Sequence, residues 1–496
     1  MSVREPGDRL RRPRTWMPIA GALSLIASCA VGPDYKRPAF ETAPAYKEEQ
    51  GWKPSEPSDA MNRGPWWKIF HDDMLDQLEA KIDVSNENVK AAVAAYDQAK
   101  ALVDQARAGF WPTVSGSASR IRSSSGAGSF TTLSTGTGAA TGSTIIATGS
   151  TATTYSAGVS ANWTLDVWGQ IRRTVESDKA SAQASAAALV AARLSAQTTL
   201  ATDYFDLRAQ DQLQKLLDDT VVAEQLSLKI TESRYRFGVA AKADVVSAET
   251  QLLSSQAQQI NAKIQRALLE HAVAVLVGLE PAVFSVAPAA MRSDVPTVPA
   301  DVPSALLERR PDVAEAERKM AAANAQIGVA KAAYFPSLTL SGSDQYSSSR
   351  WSHLISLPNR AWSLGPTLAE TLFDAGARSA QVRQARAAYE SNVASYRQTV
   401  LSGFEQVEDQ IATLRILEQQ AVLEESAVKA AREAEALTLN QYKAGTVPYS
   451  SVITAQTTRL AAEETALTVL SSRLQASVAL IEALGGGWSV GELPSP

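Results

Sequence analysis

The sequence predicts a mixed fold, mainly long α-helices plus transmembrane β-strands, in an internally duplicated protomer. Three observations predict it. Two stretches of more than sixty residues are almost free of helix breakers: Gln170 to Phe237 has neither Gly nor Pro, and Ala377 to Ala444 has only Gly403. Four short segments alternate apolar and polar residues with a period of two. The chain also repeats itself: at a shift of 207 residues Tyr235 falls on Tyr442, Gly238 on Gly445, Val245 on Val452, Ala248 on Ala455 and Gly278 on Gly485.

The helices come first in the argument. At 1.5 Å per residue each breaker-free stretch extends about 100 Å. Val400, Phe404, Val407, Ile411 and Leu414 are spaced four and three, a coiled-coil stripe. Each stretch ends in Tyr-x-x-Gly, and a second helix follows to Gly278 or Gly485, about 55 Å long. A further helix, near Asn88 to Trp111 or Asp312 to Phe335, adds about 35 Å. The two shorter helices together match the long one, so each half reads as one continuous helix going out and two end-to-end helices returning. The Tyr-x-x-Gly hairpin is the tip, where Gly tolerates the positive φ of a sharp turn.

The duplication extends past the tips. "AGFWPTVSGS" from Ala108 is echoed by "AAYFPSLTLSG" from Ala332, and "LDVWGQIRR" from Leu165 by "LFDAGARSA" from Leu372. A period this long marks a duplicated domain, not a solenoid of small repeats. The expected organisation is a signal peptide at 1–28, an amino-terminal segment at 29–87, a first repeat at 88–278, a Pro-rich linker at 279–311, a second repeat at 312–485 and a tail at 486–496. Within the repeats, strands are expected at about 113–122, 156–165, 337–345 and 362–372, long helices at about 168–236 and 376–443, and tips at 235–244 and 442–451.

The strands suggest an environment. Val159, Ala161, Trp163 and Leu165 alternate with Ser160, Asn162 and Thr164, and Trp362, Leu364, Pro366 and Leu368 with Ser363, Gly365 and Thr367. Leu338 and Leu340, and more weakly Val114, Gly116 and Ala118, do the same. Such alternation suits a strand with lipid on one side and a polar lumen on the other, and equally a half-buried soluble sheet. Four copies in symmetric positions favour the membrane. Trp111, Trp163, Trp168, Phe335 and Trp362 at strand ends fit an interfacial aromatic belt. The uncharged Ser/Thr/Gly-rich stretch at 123–158 reads as an exposed loop. Four strands cannot close a barrel, and open edges do not survive in lipid. Two pooled copies give eight strands, whose interior side chains would fill. Three give twelve, wide enough for a pore above a closed ring of long helices, and a trimeric pipe is the simplest consistent object.

The start of the chain is basic, then apolar from Met17 to Ser28, and its sole cysteine, Cys29, follows Ile26-Ala27-Ser28. This is a signal peptide ending in a lipobox-like site, and acylation at Cys29 would anchor the mature chain. The net charge of -5 and 20% charged residues do not mark a nucleic-acid binder. One cysteine excludes a disulfide framework, and His71, His271 and His353 lack metal-ligand spacing. No nucleophile, carboxylate pair or cofactor motif converges, so the chain is not read as an enzyme and no cofactor is implied.

"VGPDYKRP", "WWKIFHDDMLDQL", "LLERRPDVAEAERKMAAANAQIGVAKAAYFPSLTLSG" and "TLFDAGARSAQVRQARAAYE" resemble the TolC-like outer membrane efflux proteins, in particular their NodT-type lipoprotein branch. The resemblance covers Cys29 to Gly487. It implies a homotrimer with a 12-stranded outer-membrane β-barrel continuous with a periplasmic 12-helix α-barrel. It also implies a periplasmic adaptor (membrane fusion) protein and a proton-driven inner-membrane pump as partners, with drugs or other small molecules as cargo. In that family a Tyr of the second hairpin bonds an Asp of the first, aided by a basic residue; Tyr442 and Asp244 match, but Val447 occupies the basic position. Ser451 and Thr454 stand where the family often carries acids, and Gly238, Val239, Gly445 and Thr446 match the tips that meet the adaptor. Asp244 as a helix cap is the plainer alternative. At the level of the whole chain, the exit duct of a type I protein secretion system and a trimeric coiled-coil adhesin remain rivals.

Overall fold

The computed structural model describes residues 30–37, 46–48, 65–124, 128–132, 143–147, 151–296, 298 and 309–486. Cys29 and the signal peptide lie outside the described residues. In chain order the elements are α1 (Asp73–Ser85), α2 (Glu87–Ala108), β1 (Thr113–Ser124), β2 (Gly128–Thr132), β3 (Ser143–Ala147), β4 (Thr151–Leu165), α3 (Gln170–Arg236) and α4 (Lys242–Leu276). Then come α5 (Pro311–Ala332), β5 (Ser337–Ser348), β6 (Arg360–Ala369), α6 (Ala377–Ala444) and α7 (Tyr449–Ala483). The stretch expected to be a loop carries the β2–β3 hairpin, in which Gly128 pairs with Ala147; its β-branched and aromatic residues supply strand propensity that composition alone hides. Among the described residues no helix is long and apolar enough to cross a membrane.

The chain divides into two compact units. The first holds residues 1–35, 101–179 and 321–389 and contains every strand among the described residues. Its main sheet has the order β1-β4-β5-β6, antiparallel throughout. The passage from strand to long helix is built twice in the same way. Asp166 accepts from the backbone N–H of Ile171 and Arg172 (both 2.9 Å), and Asp374 from those of Gly376 (2.9 Å) and Arg378 (3.2 Å). Each Asp also holds an Arg, Arg172 or Arg378, on the first turn of the helix that follows. A carboxylate at a helix amino terminus satisfies orphan donors and the helix dipole together.

The second unit holds residues 36–100, 180–320 and 390–496. Here α4 and α7 run antiparallel to the long helices α3 and α6, and side-chain pairs record the register. Asp211, Asp218 and Glu224 of α3 meet Arg266, Gln259 and Gln251 of α4. Asp206 and Ser227 of α3 meet Gln475 and Gln456 of α7, and Arg432 of α6 meets Glu463 of α7. The largest core joins Leu75, Leu78 and Ile82 of α1 to Leu200, Tyr204 and Phe205 of α3 and to Ile411, Leu474 and Leu480. The end-to-end helix junctions are also duplicated. Asn86 caps α2 at the N–H of Val89 (3.0 Å) and donates to the last carbonyl of α4, Leu276 (2.8 Å). In the second repeat Arg310 donates to Ala483 O of α7 (3.0 Å) at the start of α5. Gly278 and Gly485 follow with φ of +70° and +92°, and a Cβ on either would lie 2.3 Å from the carbonyl oxygen of Ser85 or Arg309. Only Gly fits such a junction.

Candidate functional site: a two-faced sheet and paired helical tips

The sheet register sorts its side chains onto two unlike faces. Leu165, Leu338 and Leu368 stand opposite one another across three strands, as do Trp163, Leu340 and Pro366. Val114, Ala161, Gly342 and Leu364 form the next apolar row; the row after it, Gly116, Val159, Asp344 and Trp362, admits a carboxylate, which Arg360 holds. The other face carries Ser, Thr, Asn and Gln, with hydroxyl pairs between Ser119 and Ser156 (2.7 Å) and between Ser343 and Ser363 (2.9 Å). Among the described residues the outer edges of β1 and β6 have no partner strand. A sheet with one greasy face, one hydroxylated face and two open edges is incomplete by itself.

The aromatic residues fall at both ends of the strands. Trp163 donates to Phe110 O (2.9 Å) and Trp168 to Pro336 O (2.7 Å), with Trp168 stacked on Phe335 at 4.8 Å; exposed Trp111 lies at this helix-proximal end too. Trp362 stands near the opposite, helix-distal end of β6, with Tyr155 and Trp351 in edge contact at that end at 5.8 Å.

A strap that sequence reasoning missed begins directly after Cys29. Val31 N–H donates to Trp168 O (3.1 Å), Asn324 to Pro33 O (3.0 Å), and buried Arg173 to Val31 O (3.4 Å) and the Asp34 carboxylate (2.9 Å). The backbone is so close that a Cβ on Gly32 would lie 2.5 Å from Gly328 Cα. "VGPDYKRP" was legible only as a motif, because its partners lie far along the chain.

At the tips, Gly238 (φ +72°) and Gly445 (φ +78°) close the carboxyl ends of α3 and α6. Val239 N–H returns to Arg234 O (2.9 Å) and Thr446 N–H to Gln441 O (3.0 Å), the Schellman pattern that a left-handed Gly permits. Val239 is exposed and Thr446 also bonds Gln441 O through its hydroxyl (3.0 Å). Tyr442 is buried, its hydroxyl donating to Thr231 Oγ1 at 3.4 Å and its ring set edge-on to Tyr449 at 5.1 Å. Arg234 also joins the two hairpins here. Its guanidinium lies over the Tyr442 ring (4.7 Å) and donates to Lys443 O (2.7 Å). Asp244 sits half-buried in the first turn of α4, whose N-cap is Ala241; among the described residues its carboxylate has no hydrogen-bond partner. Ser451 is half-buried, and Thr454 bonds Ser450 O of its own helix (3.0 Å).

Behind the tips runs a buried polar layer. Glu224 accepts from Gln251 (3.0 Å), Gln456 donates to Ser227 (3.2 Å), and Arg459 ties Glu435 (2.6 Å) and Glu463 (2.7 Å). Burial raises the Glu224 carboxyl, its bonds to Ser255 and Gln251 opposing this, and burial pushes the Tyr449 phenol up to about 12.

A four-stranded sheet with one apolar and one hydroxylated face, in a chain with two helices of about 100 Å, points to a class: outer-membrane exit ducts. The chain belongs to the outer membrane efflux protein family, whose family model matches residues 80–279 and 302–486. The probable efflux pump outer membrane protein TtgC of Pseudomonas putida is 28% identical over 478 residues, 96% of either chain. The pyoverdine export outer membrane protein OpmQ of Pseudomonas aeruginosa is 30% identical over 473 residues, covering 94% of this chain and 97% of its own. Among solved structures, the outer-membrane channel OprN matches with a TM-score of 0.81 at 29% identity, over 93% of this chain and 100% of that one. This protein is therefore an outer-membrane efflux component, a transport protein.

Proposed function

We propose that three copies pool their four-stranded sheets into one 12-stranded barrel in the outer membrane, with their long helices forming a closed periplasmic duct. The observation that carries this reading is the unpaired β1 and β6 edges of a sheet whose faces differ so sharply. In lipid an open edge leaves backbone N–H and C=O groups unsatisfied, and pairing β1 of one copy with β6 of the next removes every edge. Trp111, Trp163, Trp168 and Phe335 then mark one membrane interface and Trp362 the other. Acylation at Cys29 adds a lipid anchor, and the strap at 31–34 supports it by fixing the chain beside Trp168.

The duct hands small molecules outward from an inner-membrane pump through a periplasmic adaptor, which meets the exposed tips at Gly238, Val239, Gly445 and Thr446. Tyr442, Ser451 and Thr454 of the second hairpin, with Asp244 of the first, form the closing aperture, and Arg234 supplies the cation missing at Val447. Reconstitution in planar bilayers tests the reading: the protein should elute as a trimer in detergent and conduct ions. A monodisperse, folded monomer without conductance would end it.

A further inference from the structure

We propose that Arg120 and Arg122 form a binding site for the phosphate groups of a phosphorylated glycolipid at the helix-distal rim of the sheet's apolar face. The inference rests on the reading that this face meets lipid. Rows at the rim differ from those below. Arg120 stands opposite Tyr155, Tyr346 opposite Arg360, and Asp344 opposite Trp362, where the lower rows hold Val, Leu, Ala and Trp. Side chains two apart on a strand share a face, so Arg122 continues the same row set upward.

The height of the row identifies what it meets. From Thr113 to Arg120 is seven steps of about 3.3 Å along β1, or about 23 Å, and Arg122 lies at about 30 Å. A strand tilted by about 40° turns these into heights of about 18 and 23 Å. The apolar band of a membrane barrel is about 25 Å tall. Both guanidinium groups thus reach the far boundary of the band, where headgroups begin, with their stems along the apolar face.

The charge balance at the rim selects an anion. Asp344 is the only carboxylate on the four strands, and Arg360 already holds it by two hydrogen bonds, 2.9 and 2.8 Å. Arg120 and Arg122 are exposed and have no carboxylate partner among the described residues. Arg120 lies over the Tyr155 ring at 5.6 Å, and Trp351 braces that ring edge-on. A stacked guanidinium keeps its in-plane N–H donors free, the geometry that grips a phosphate by two parallel bonds. The rim is at the end of the strands away from the helices, hence at the outward leaflet, and the phosphates there belong to a glycolipid.

The test is lipid retention by the full-length protein in detergent, with bisphosphorylated lipid A as probe, read by native mass spectrometry. Native protein should retain lipid A about tenfold better than its dephosphorylated form. R120A/R122A should lose that preference, while R120K/R122K keeps part of it; trimer elution checks that each variant folds. Equal retention by native and R120A/R122A protein overturns the site. Retention of phosphatidylglycerol equal to that of lipid A overturns the assignment to a glycolipid. A protein that retains phospholipid normally but shows either result leaves the membrane reading intact, whereas one that retains no lipid at all and does not conduct overturns both.

Discussion

Replacing Glu79 by Gln should stabilise the protein more and more as pH rises, and the size of the effect follows from where the side chain lies. Glu79 shares a face of α1 with Leu75, Leu78 and Ile82, is fully buried, and has no hydrogen-bond partner for either oxygen among the described residues. Burial first, then repulsion from Asp83 and Asp76, pushes its pKa from 4.5 up to about 9. The folded chain therefore keeps a proton that the unfolded chain releases above its ordinary value. For a group raised in this sense, stability is complete below the unfolded pKa and drains away as pH climbs through the folded one. At pH 7 the gap of about 2.5 pH units corresponds to about 3 kcal/mol. Gln keeps the shape without the charge, so E79Q should match the native protein within about 1 kcal/mol at pH 5 and exceed it by about 3 kcal/mol at pH 7. The assay is denaturant unfolding in detergent micelles across pH 5 to 9. Parallel profiles for the two proteins would refute a buried neutral carboxyl, and a less stable variant at pH 7 would mean that the carboxylate has a partner.

The other predictions concern the tips, the junctions and the strap. Arg234→Ala removes a cation–π contact and a carbonyl bond worth about 1–2 kcal/mol together; open probability in bilayers should rise, and unchanged dwell times would remove Arg234 from the aperture. Arg310→Ala leaves Ala483 O without its donor and the Asp312 carboxylate with only the Val313 N–H, and should cost about 3 kcal/mol; a loss under about 1 kcal/mol would contradict the junction role. Gly328→Val places a Cβ 2.8 Å from Arg173 Cγ and 2.9 Å from Val31 O, so the strap should lift and the Val31 amide should exchange faster with solvent. Cys29→Ser should abolish palmitate incorporation; continued labelling would place the acyl group elsewhere.

The strands were readable because a period of two needs no knowledge of partners: once Val159, Ala161 and Trp163 share a face, register only has to align it with Leu340 and Leu364. The tips were readable through Gly238 and Gly445, since a left-handed turn is a local demand. What escaped was whatever depends on distant partners. Arg234 looks like one more basic residue of a helix end until the fold lays Tyr442 beneath it. Tyr442 meets Thr231 within the chain, a partner no local pattern announces. Glu79 had a usable signal: positions 75, 78, 79 and 82 form an apolar helix face, and an acid there is out of place.

The hydroxylated face of the sheet has one more implication. From Thr113 through Ser160 and Ser341 to Thr367 it bears no formal charge. In the barrel proposed above this face would line the lumen, and because rotatable dipoles turn to suit a departing ammonium as readily as a departing carboxylate, that lining would be indifferent to the sign of its traffic. Sorting must be finished upstream, and a single Lys or Asp grafted at Ser160 or Ser341 would convert a neutral vestibule into an ion filter.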